Sequence, residues 1–439
     1  MYRKTFELLV KWKENEAKRK PLLLLGARQT GKTYLVRKFA SKYYDNFIEV
    51  NFERDRNVSK FFEDNLNPKN IIIKLENYYG KRILPNNTLI FFDEIQGCES
   101  AITSLKYFNE EANEYHIICA GSLLGVVLNR KKFSYPVGKI QELRLYPMDF
   151  EEYLIALGEE PLLETIKKCY KNDVTMDDVL HRKCLQLYRN YLVVGGMPEA
   201  LQDYVKYGSL ISSVEIVKNI YNNYLNDMSK YASNNEIIKN KACYESIVKQ
   251  LSKENKNFKY SEVEKGKNSQ YFSNSINWLI NAGIALKSIL VDVPHSPLSF
   301  HEDEFLFRIY LSDTGLFRYK ANINISNLTD PDYKDDLIGI LTENYVACEF
   351  TAKGIPLRYW KGKRESEVEF LVEICNEVIP VEVKAGVRTG SPSLNIYKEN
   401  NKMPYAYRIS QKNFGKTNEI KSVPLYAAFC IANDIVLNN

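Results

Sequence analysis

Histidine is scarce in this chain, and cysteine never comes in closely spaced pairs. Four His stand among 439 residues, and the eight Cys (Cys98, Cys119, Cys169, Cys184, Cys243, Cys348, Cys375 and Cys430) form no C-x-x-C. The ligand spacings of a structural zinc site are therefore missing. Scattered single Cys in a chain this long read as reduced, mostly buried thiols, which excludes a disulfide scaffold and points to a cytoplasmic protein. Long apolar runs are absent too: no stretch approaches the roughly 20 residues of a membrane span. The N-terminal "MYRKTFELLVKWKENEAKRK" is charged throughout, without the apolar core of a signal peptide. No internal repeat and no long Gly/Ser/Pro-rich linker is present, so the domains are expected to pack closely. Neither sign of charge dominates. Net charge is +5, from 60 basic and 55 acidic residues, which permits a nucleic-acid partner without arguing for one.

What is present is the composition of a soluble globular protein, 45% hydrophobic and 26% charged. The length exceeds what one core can use and predicts roughly two to four domains of about 100–200 residues. "LLLL", residues 22–25, is a short apolar run of the kind that forms a strand buried on both faces. A helix is predicted from Lys32 to about Tyr43, with Leu35, Val36 and Phe39 on its apolar stripe. Further buried strands are predicted at Ile48–Phe52, Thr88–Phe92, His116–Ala120 and Ile140–Leu145. Strand and helix in alternation imply a parallel α/β sheet up to about residue 150. From Asp149 to about Leu225 helical patterns dominate, broken by "GGMPE" at 195–199. Next come a helix opening "KACYESIVKQLSKEN", a short helix near 261–265 and a helix from Ser269 to Asn281. Two strands, "IALKSILV" and "EFLFRIYL", follow. Helices followed by a hairpin suggest a winged helix-turn-helix. After Leu328, "DDLIGILTENYVACEF" reads as a helix and "RYW", "EVEFLVEI" and "VIPVEVK" as strands of a small α/β unit.

"GARQTGKT", Gly26 to Thr33, satisfies G-x-x-x-x-G-K-[ST] between a predicted strand and a predicted helix. Gly26 and Gly31 let the backbone curl so that N–H groups from Gly26, Ala27, Arg28, Gln29, Thr30 and Gly31 onward face phosphates, aided by the helix N-terminus. Lys32 brings a point charge to the β and γ phosphates, and the Thr33 hydroxyl can enter a Mg²⁺ shell. ATP and Mg²⁺ are the implied cofactors. "TLIFFDEIQ" then delivers Asp93 and Glu94 to the C-terminal end of a buried strand. Asp93 is expected to hold Mg²⁺, and Glu94 to orient and polarise the attacking water. Ser122 ends the next strand, either as a sensor of the γ-phosphate or as part of a Gly-Ser turn. Arg130, Lys131, Lys132, Lys139 and Arg144 offer an arginine-finger type of contact in an oligomer, or a solvated basic loop.

The stretches "GARQTGKT", "TLIFFDEIQ", "ITSLKYF", "AGSLLGV", "YPVGK", "LYPMDFEEYL", "VGGMPEAL", "QLSKENKNFKY", "LSDTGL", "ENYVACEF" and "EVEFLVE…VIPVEVKAG" run from about residue 20 to 430. In them the chain resembles the prokaryotic AAA-type ATPases that carry a C-terminal domain of unknown function with a restriction-endonuclease-like fold. The resemblance implies ATP binding and hydrolysis, a winged-helix middle domain and a nuclease-like final domain. It supplies no cellular substrate. Two departures stand out. Gly138-Lys139 replaces the Gly-Arg of many members, and Gly266-Lys267-Asn268 replaces a Gly-Ala-Arg.

Nucleases of the PD-(D/E)xK type use two carboxylates on Mg²⁺ and a lysine beside the attacking hydroxide. In "PVEVKAG", Glu382 and Lys384 share a strand face while Val381 and Val383 turn inward. Glu369 precedes them at the short spacing of such sites, where relatives carry Asp, and Glu343 lies on the helix before. Together Glu343, Glu369, Glu382 and Lys384 form a candidate second metal site, or else the solvated face of an amphipathic strand. The expected architecture is multidomain α/β: a P-loop AAA-type ATPase domain at 1–155, a helical region at 156–235, a winged-helix-like domain at 236–328 and a restriction-endonuclease-like domain at 329–439. The expected function is a Mg²⁺-dependent ATPase coupled to a DNA-binding, nuclease-like module. Two alternatives stay open: an ATP-dependent protein-interaction switch whose last domain binds without cleaving, and a nuclease licensed by ATP with little turnover. ATP, DNA and a second copy of the chain are the partners in view, and no membrane.

Overall fold

Strands β1 (Leu22–Leu25), β2 (Asn46–Asn51), β3 (Thr88–Asp93), β4 (His116–Ala120) and β5 (Gln141–Arg144) form one sheet in the order β2-β3-β4-β1-β5. Every neighbouring pair is parallel. The computed structural model describes residues 1–438 apart from 123–135, 229–233, 332, 334, 364–365, 388–389 and 391. The described chain divides into two compact units. One comprises 2–146 with 281–283; the other comprises 147–280 and 284–439, with Met1.

In the first unit both sheet faces are covered, as a parallel sheet requires. Side chains alternate along each strand, so Leu23, Leu25, Ile90 and Phe92 enter one core layer. Leu22, Leu24, Leu89 and Phe91 enter the other. The helices Thr5–Glu14 and Lys32–Tyr43 bring Leu9, Trp12, Leu35, Val36 and Phe39 to the second layer. Pro68–Tyr79 and Glu99–Glu111 cover the first. The helix at Pro68 starts where Asn67 accepts from the Lys69 and Asn70 amides, and it ends at Gly80 in the left-handed conformation. Removing a ring such as Phe92 from this packing costs about 3–5 kcal/mol. The predicted strands of this region and the helix Lys32–Tyr43 are all found, with ends displaced by two residues at most.

The second unit opens with five helices between Phe150 and Asp227. The Gly195-Gly196 break between two of them is a close approach: a Cβ on Gly196 would stand 2.0 Å from the Met148 carbonyl oxygen. Asp313 fills the same corner, its carboxylate accepting from the Gly196 amide at 2.6 Å and the Leu316 amide at 3.0 Å. Helices Asn234–Leu251, Tyr260–Val263 and Ser269–Asn281 lead into an antiparallel hairpin, β6 (Ala285–Val291) and β7 (Glu302–Leu311). Later come the helix Asp336–Ala352, β8 (Leu357–Lys361), β9 (Glu367–Val368), β10 (Phe370–Ile374) and β11 (Glu377–Val383). The chain continues with the helix Pro392–Asn400, β12 (Ala406–Ser410), β13 (Gly415–Thr417), β14 (Ile420–Pro424) and the helix Ala428–Leu437. These strands make two sheets, β7-β6-β8-β9 and β10-β11-β12-β14-β13. The hairpin and the stretch after Leu328 therefore share a sheet, through the parallel pairing of β6 with β8.

One predicted strand is corrected. "EVEFLVEI" is not continuous: it breaks at Glu369, and its halves, β9 and β10, belong to different sheets. The cause is the Glu369 side chain, whose Oε2 accepts from the Val383 amide at 3.1 Å and so takes the place of a ladder bond.

Candidate functional site

β1 hands the chain directly to the glycine-rich loop. Gly26 has φ +145°, Gln29 +63° and Gly31 +90°, an alternation of backbone hand that makes an anion-binding concavity ahead of a helix N-terminus. Only glycine fits the first position, because a Cβ there would lie 2.2 Å from the Leu145 carbonyl oxygen. Ala27 is buried. The Thr30 hydroxyl donates to its carbonyl at 2.9 Å, and Arg3 Nη1 donates to the Thr30 carbonyl at 2.9 Å. Lys32 folds back on the loop, donating to the Gly26 and Ala27 carbonyls at 2.9 and 2.8 Å. Burial lowers its pKa to about 8, while Glu94 and Asp93 pull the other way and Arg28 adds to the lowering.

Because the strands are parallel, the ends of β1, β3 and β4 fall on one edge of the sheet, where ligands of open α/β sheets sit. Asp93 closes β3. Thr33 Oγ1 donates to its Oδ2 at 3.2 Å, and Asn51 Nδ2, from the adjacent end of β2, does so at 3.2 Å. Burial, then the neighbouring Glu94, raise the Asp93 pKa to about 6. A hydroxyl beside a carboxylate whose negative charge is disfavoured is an oxygen donor set that suits Mg²⁺. Glu94 follows in the left-handed conformation, φ +50°, a strain of about 1–3 kcal/mol for such a residue. Its carboxylate accepts from Gln96 Nε2 at 2.5 Å. Ser122 stands two residues beyond β4, half-buried. Arg130, Lys131 and Lys132 lie outside the described residues. Lys139 pairs with Glu110 at 2.9 Å, and Arg144 ends β5.

The second cluster is not a solvated face. Glu343, Glu369 and Glu382 are all buried. Lys384 Nζ lies 3.4 Å from Glu382 Oε1 and 3.8 Å from Glu369 Oε1. Arg408 Nε, from the parallel neighbour β12, lies 3.0 Å from Glu382 Oε2. Burial pushes the Glu369 pKa up to about 7 against the opposing pull of Lys384 and Lys256. The structure thus brings Glu369, Glu382 and Lys384 together. Glu343 turns to a separate set: Lys256 Nζ at 2.5 Å, Tyr310 Oη at 2.5 Å and Arg308 Nη1 at 3.3 Å. Burial raises the Glu343 pKa, but Lys256 and Arg308 outweigh burial and hold it below the usual carboxylate range. Lys256 and Arg308 also grip Glu367. Glu343, Glu367, Glu369 and Glu382 are therefore each faced by a side-chain cation. Among the described residues no three His, Cys, Asp or Glu side chains gather as a metal-ligand set.

Several of these partners escape the sequence reading. Arg308 carries a visible signal, a charge in the middle of the apolar run "FLFRIYL". Asn51 is signalled only by ending the strand that pairs with β3. Lys256 and Arg408 carry none, since they meet their carboxylates through tertiary contacts alone.

With this geometry in view, the comparisons divide along the chain. Residues 18–154 match the model of an AAA domain. Residues 185–327 and 338–427 match two models described as domains of unknown function, DUF8612 and DUF4143. No curated protein matches at a significant level. Among solved structures, the Walker-type ATPase PABY2304 of Pyrococcus abyssi is 15% identical over 73% of this chain and 95% of its own, with a TM-score of 0.44. Cdc6p of Pyrobaculum aerophilum is 14% identical over 75% and 94%, with a TM-score of 0.25. The ORC1 protein of Aeropyrum pernix, in complex with DNA, is 14% identical over 74% and 91%, with a TM-score of 0.31. Likenesses this distant carry no argument about function. Among the described residues no helix is long and apolar enough to cross a membrane. Residues 18–154, with their glycine-rich loop and parallel sheet, thus have the fold of a P-loop NTPase and match the model of an AAA domain.

Proposed function

We propose that this protein is a Mg²⁺-dependent ATPase whose nucleotide state governs a nucleic-acid-binding module in its second unit. The observation that carries the reading is the loop of Gly26–Thr33 set beside Asp93, with Thr33 Oγ1 3.2 Å from the carboxylate. In it the amides of the loop and Lys32 bind the phosphates, and Thr33 and Asp93 hold the Mg²⁺. Bound Mg²⁺ supplies charge neutralisation at the phosphates. Glu94 orients the attacking water and Ser122 reads the γ-phosphate. On hydrolysis Lys32 is released from the phosphates and returns to the Gly26 and Ala27 carbonyls. We place the protein in the cytoplasm, as eight free cysteines support. Nucleotide binding measured on Lys32→Ala should fall at least a hundredfold, and Glu94→Gln should bind ATP without turning it over. Unchanged ATP affinity in the first variant would overturn the site.

For the second unit, the order helix, short helix, helix, hairpin supports the winged-helix reading, and we divide this part of the chain at about residues 235 and 328. Tyr271 on the helix Ser269–Asn281 has Lys239 and Lys267 over its ring at 3.5 and 4.4 Å, a basic and aromatic face suited to nucleic acid. The final domain is read as nuclease-like in fold but binding rather than cleaving. The observation favouring this is that its buried carboxylates are already neutralised by Lys256, Arg308, Lys384 and Arg408. A second Mg²⁺ does not fit that arrangement, and no cleavage step is derived. DNA degradation in Mg²⁺ or Mn²⁺ that is lost in Glu382→Ala would restore the nuclease reading.

A further inference from the structure

The residues after β11 and β12 open onto a cleft that the ion-paired carboxylates do not fill. Its volume is about 880 Å³, within the range of small-molecule sites of about 300–1,000 Å³. Three kinds of wall meet there. Lys384 and Gln411 directly follow the parallel strands β11 and β12, so the cleft lies beyond the carboxyl ends of parallel strands, the usual ligand position in such sheets. The helix Asp178–Val194 contributes Arg182, Leu185, Gln186 and Arg189, whose i, i+3, i+4, i+7 spacing puts them on one helical face. The third wall is the first turn of the helix Asp336–Ala352, a 17-residue helix with its N-terminus at the cleft.

The charges in this cleft are unequal. Arg182, Arg189 and Lys384 line it against Asp335 and Asp336. Asp335 is committed to its own helix start, accepting from the Leu337 amide at 2.8 Å and from the Tyr333 hydroxyl at 3.1 Å. Arg182 is exposed on the cleft wall. Lys384 has a double aspect, with Nζ 3.4 Å from Glu382 on one side and a side chain still 35% exposed. Arg189 is buried, so the cations open to a ligand are the exposed Arg182 guanidinium and the Lys384 ammonium, and together they match the tetrahedral oxygens of a phosphate better than any neutral ligand. The volume leaves room for a group several times larger than a bare phosphate.

We infer that this cleft binds the phosphate ester of a nucleotide, free or within a single strand, through Arg182 and Lys384. The inference rests on the reading of the last domain as a binding module, and it supplies that module's ligand chemistry. It also gives the helical region a role, since one of the two anion contacts, Arg182, comes from the helix Asp178–Val194 rather than from the nuclease-like strands.

The full-length chain carrying Lys32→Ala, which silences the P-loop, is titrated with a fluorescein-labelled single-stranded oligonucleotide by anisotropy and with AMP by calorimetry. At least one probe should bind with an affinity that falls as salt rises. Arg182→Glu should weaken that affinity about tenfold or more, and Arg182→Lys should recover part of it. Arg182 is exposed, so the variant keeps its fold; circular dichroism checks this. Equal affinities in Arg182→Glu and the parent, or no binding of either probe, overturn the inference. If strand binding survives Arg182→Glu but is lost in Lys267→Glu, the cleft assignment fails and the nucleic-acid reading stands. If AMP binding is lost in Arg182→Glu while no strand binds, the cleft stands and the nucleic-acid reading fails.

Discussion

A lysine buried away from water gives up its proton more readily than an exposed one, and Lys32 is such a lysine, with its pKa lowered to about 8 chiefly by burial. Phosphate oxygens reverse that balance by favouring the charged form. Metal-free nucleotide binding above pH about 8 should therefore take up protons. Calorimetry in buffers of different ionisation heat reads the uptake directly, and identical heats in all buffers would contradict it. Asp93 has the opposite sign: its carboxyl, raised to about 6, should lose a proton when Mg²⁺ arrives near that pH. At the other end of the chain, Arg308 is wholly buried between Glu343 and Glu367. Arg308→Met leaves those carboxylates with Lys256 as the remaining cation of the set, beside the Tyr310 hydroxyl on Glu343, and removing one partner from a buried ion pair costs about 3–5 kcal/mol. Urea unfolding should show a loss of that order. A loss under 1 kcal/mol would mean that the pair behaves as a surface contact.

At the scale of elements, the β1–loop–helix unit depends on a single close approach. Gly26→Ala sets a Cβ 2.2 Å from the Leu145 backbone, where no side chain can swing aside. The strand end must shift, at a cost of about 2 kcal/mol or more. Gly80→Ala is the control: its φ is +62° but nothing lies within 4 Å of the added atom, so only the left-handed penalty of about 1 kcal/mol remains. Thermal unfolding should separate the two variants, and equal melting shifts would show that the Leu145 contact is unimportant. This first unit was legible because its elements announce themselves locally, as in "LLLL" and "TLIFFD", buried at every position, and in the glycines of the loop. The second unit hides its logic. "EVEFLVEI" has the alternation of one strand, yet Glu369 spends its carboxylate on the Val383 amide and the strand divides between two sheets. The alternation also reads as amphipathic, whereas Glu369 and Glu382 are buried, because Lys384 and Arg408 reach them from other positions. Local periodicity cannot report charges that tertiary contacts neutralise. The hairpin is a further case. Between Val291 and Leu306 it carries Asp292, Glu302, Asp303 and Glu304 and no Lys or Arg, with Phe300 and Phe305 exposed. A wing of that charge would be repelled by phosphate, so the proposed function assigns the nucleic-acid face to Lys239, Lys267 and Tyr271.

For the whole molecule, the question is whether ATP at the first unit alters what the second unit binds. Coupling between two sites is a free energy, and it is reciprocal: the factor by which one ligand changes the other's affinity is the same in both directions. Two compact units in one chain can be coupled only if nucleotide shifts a population of arrangements that differ in their affinity for the strand. The proposed function requires such a shift. With Glu94→Gln, which is expected to hold ATP unhydrolysed, the affinity for a single-stranded oligonucleotide should differ between the ATP-bound and nucleotide-free protein by about five- to 150-fold, the span of about 1–3 kcal/mol of coupling. Oligonucleotide at saturation should then change ATP affinity by that same factor. Steady-state hydrolysis by the unaltered chain should respond to DNA as well, although reciprocity does not bind rates. Equal oligonucleotide affinity with and without ATP would leave two independent binding units on one chain, and the coupled function would be withdrawn even if both sites proved real.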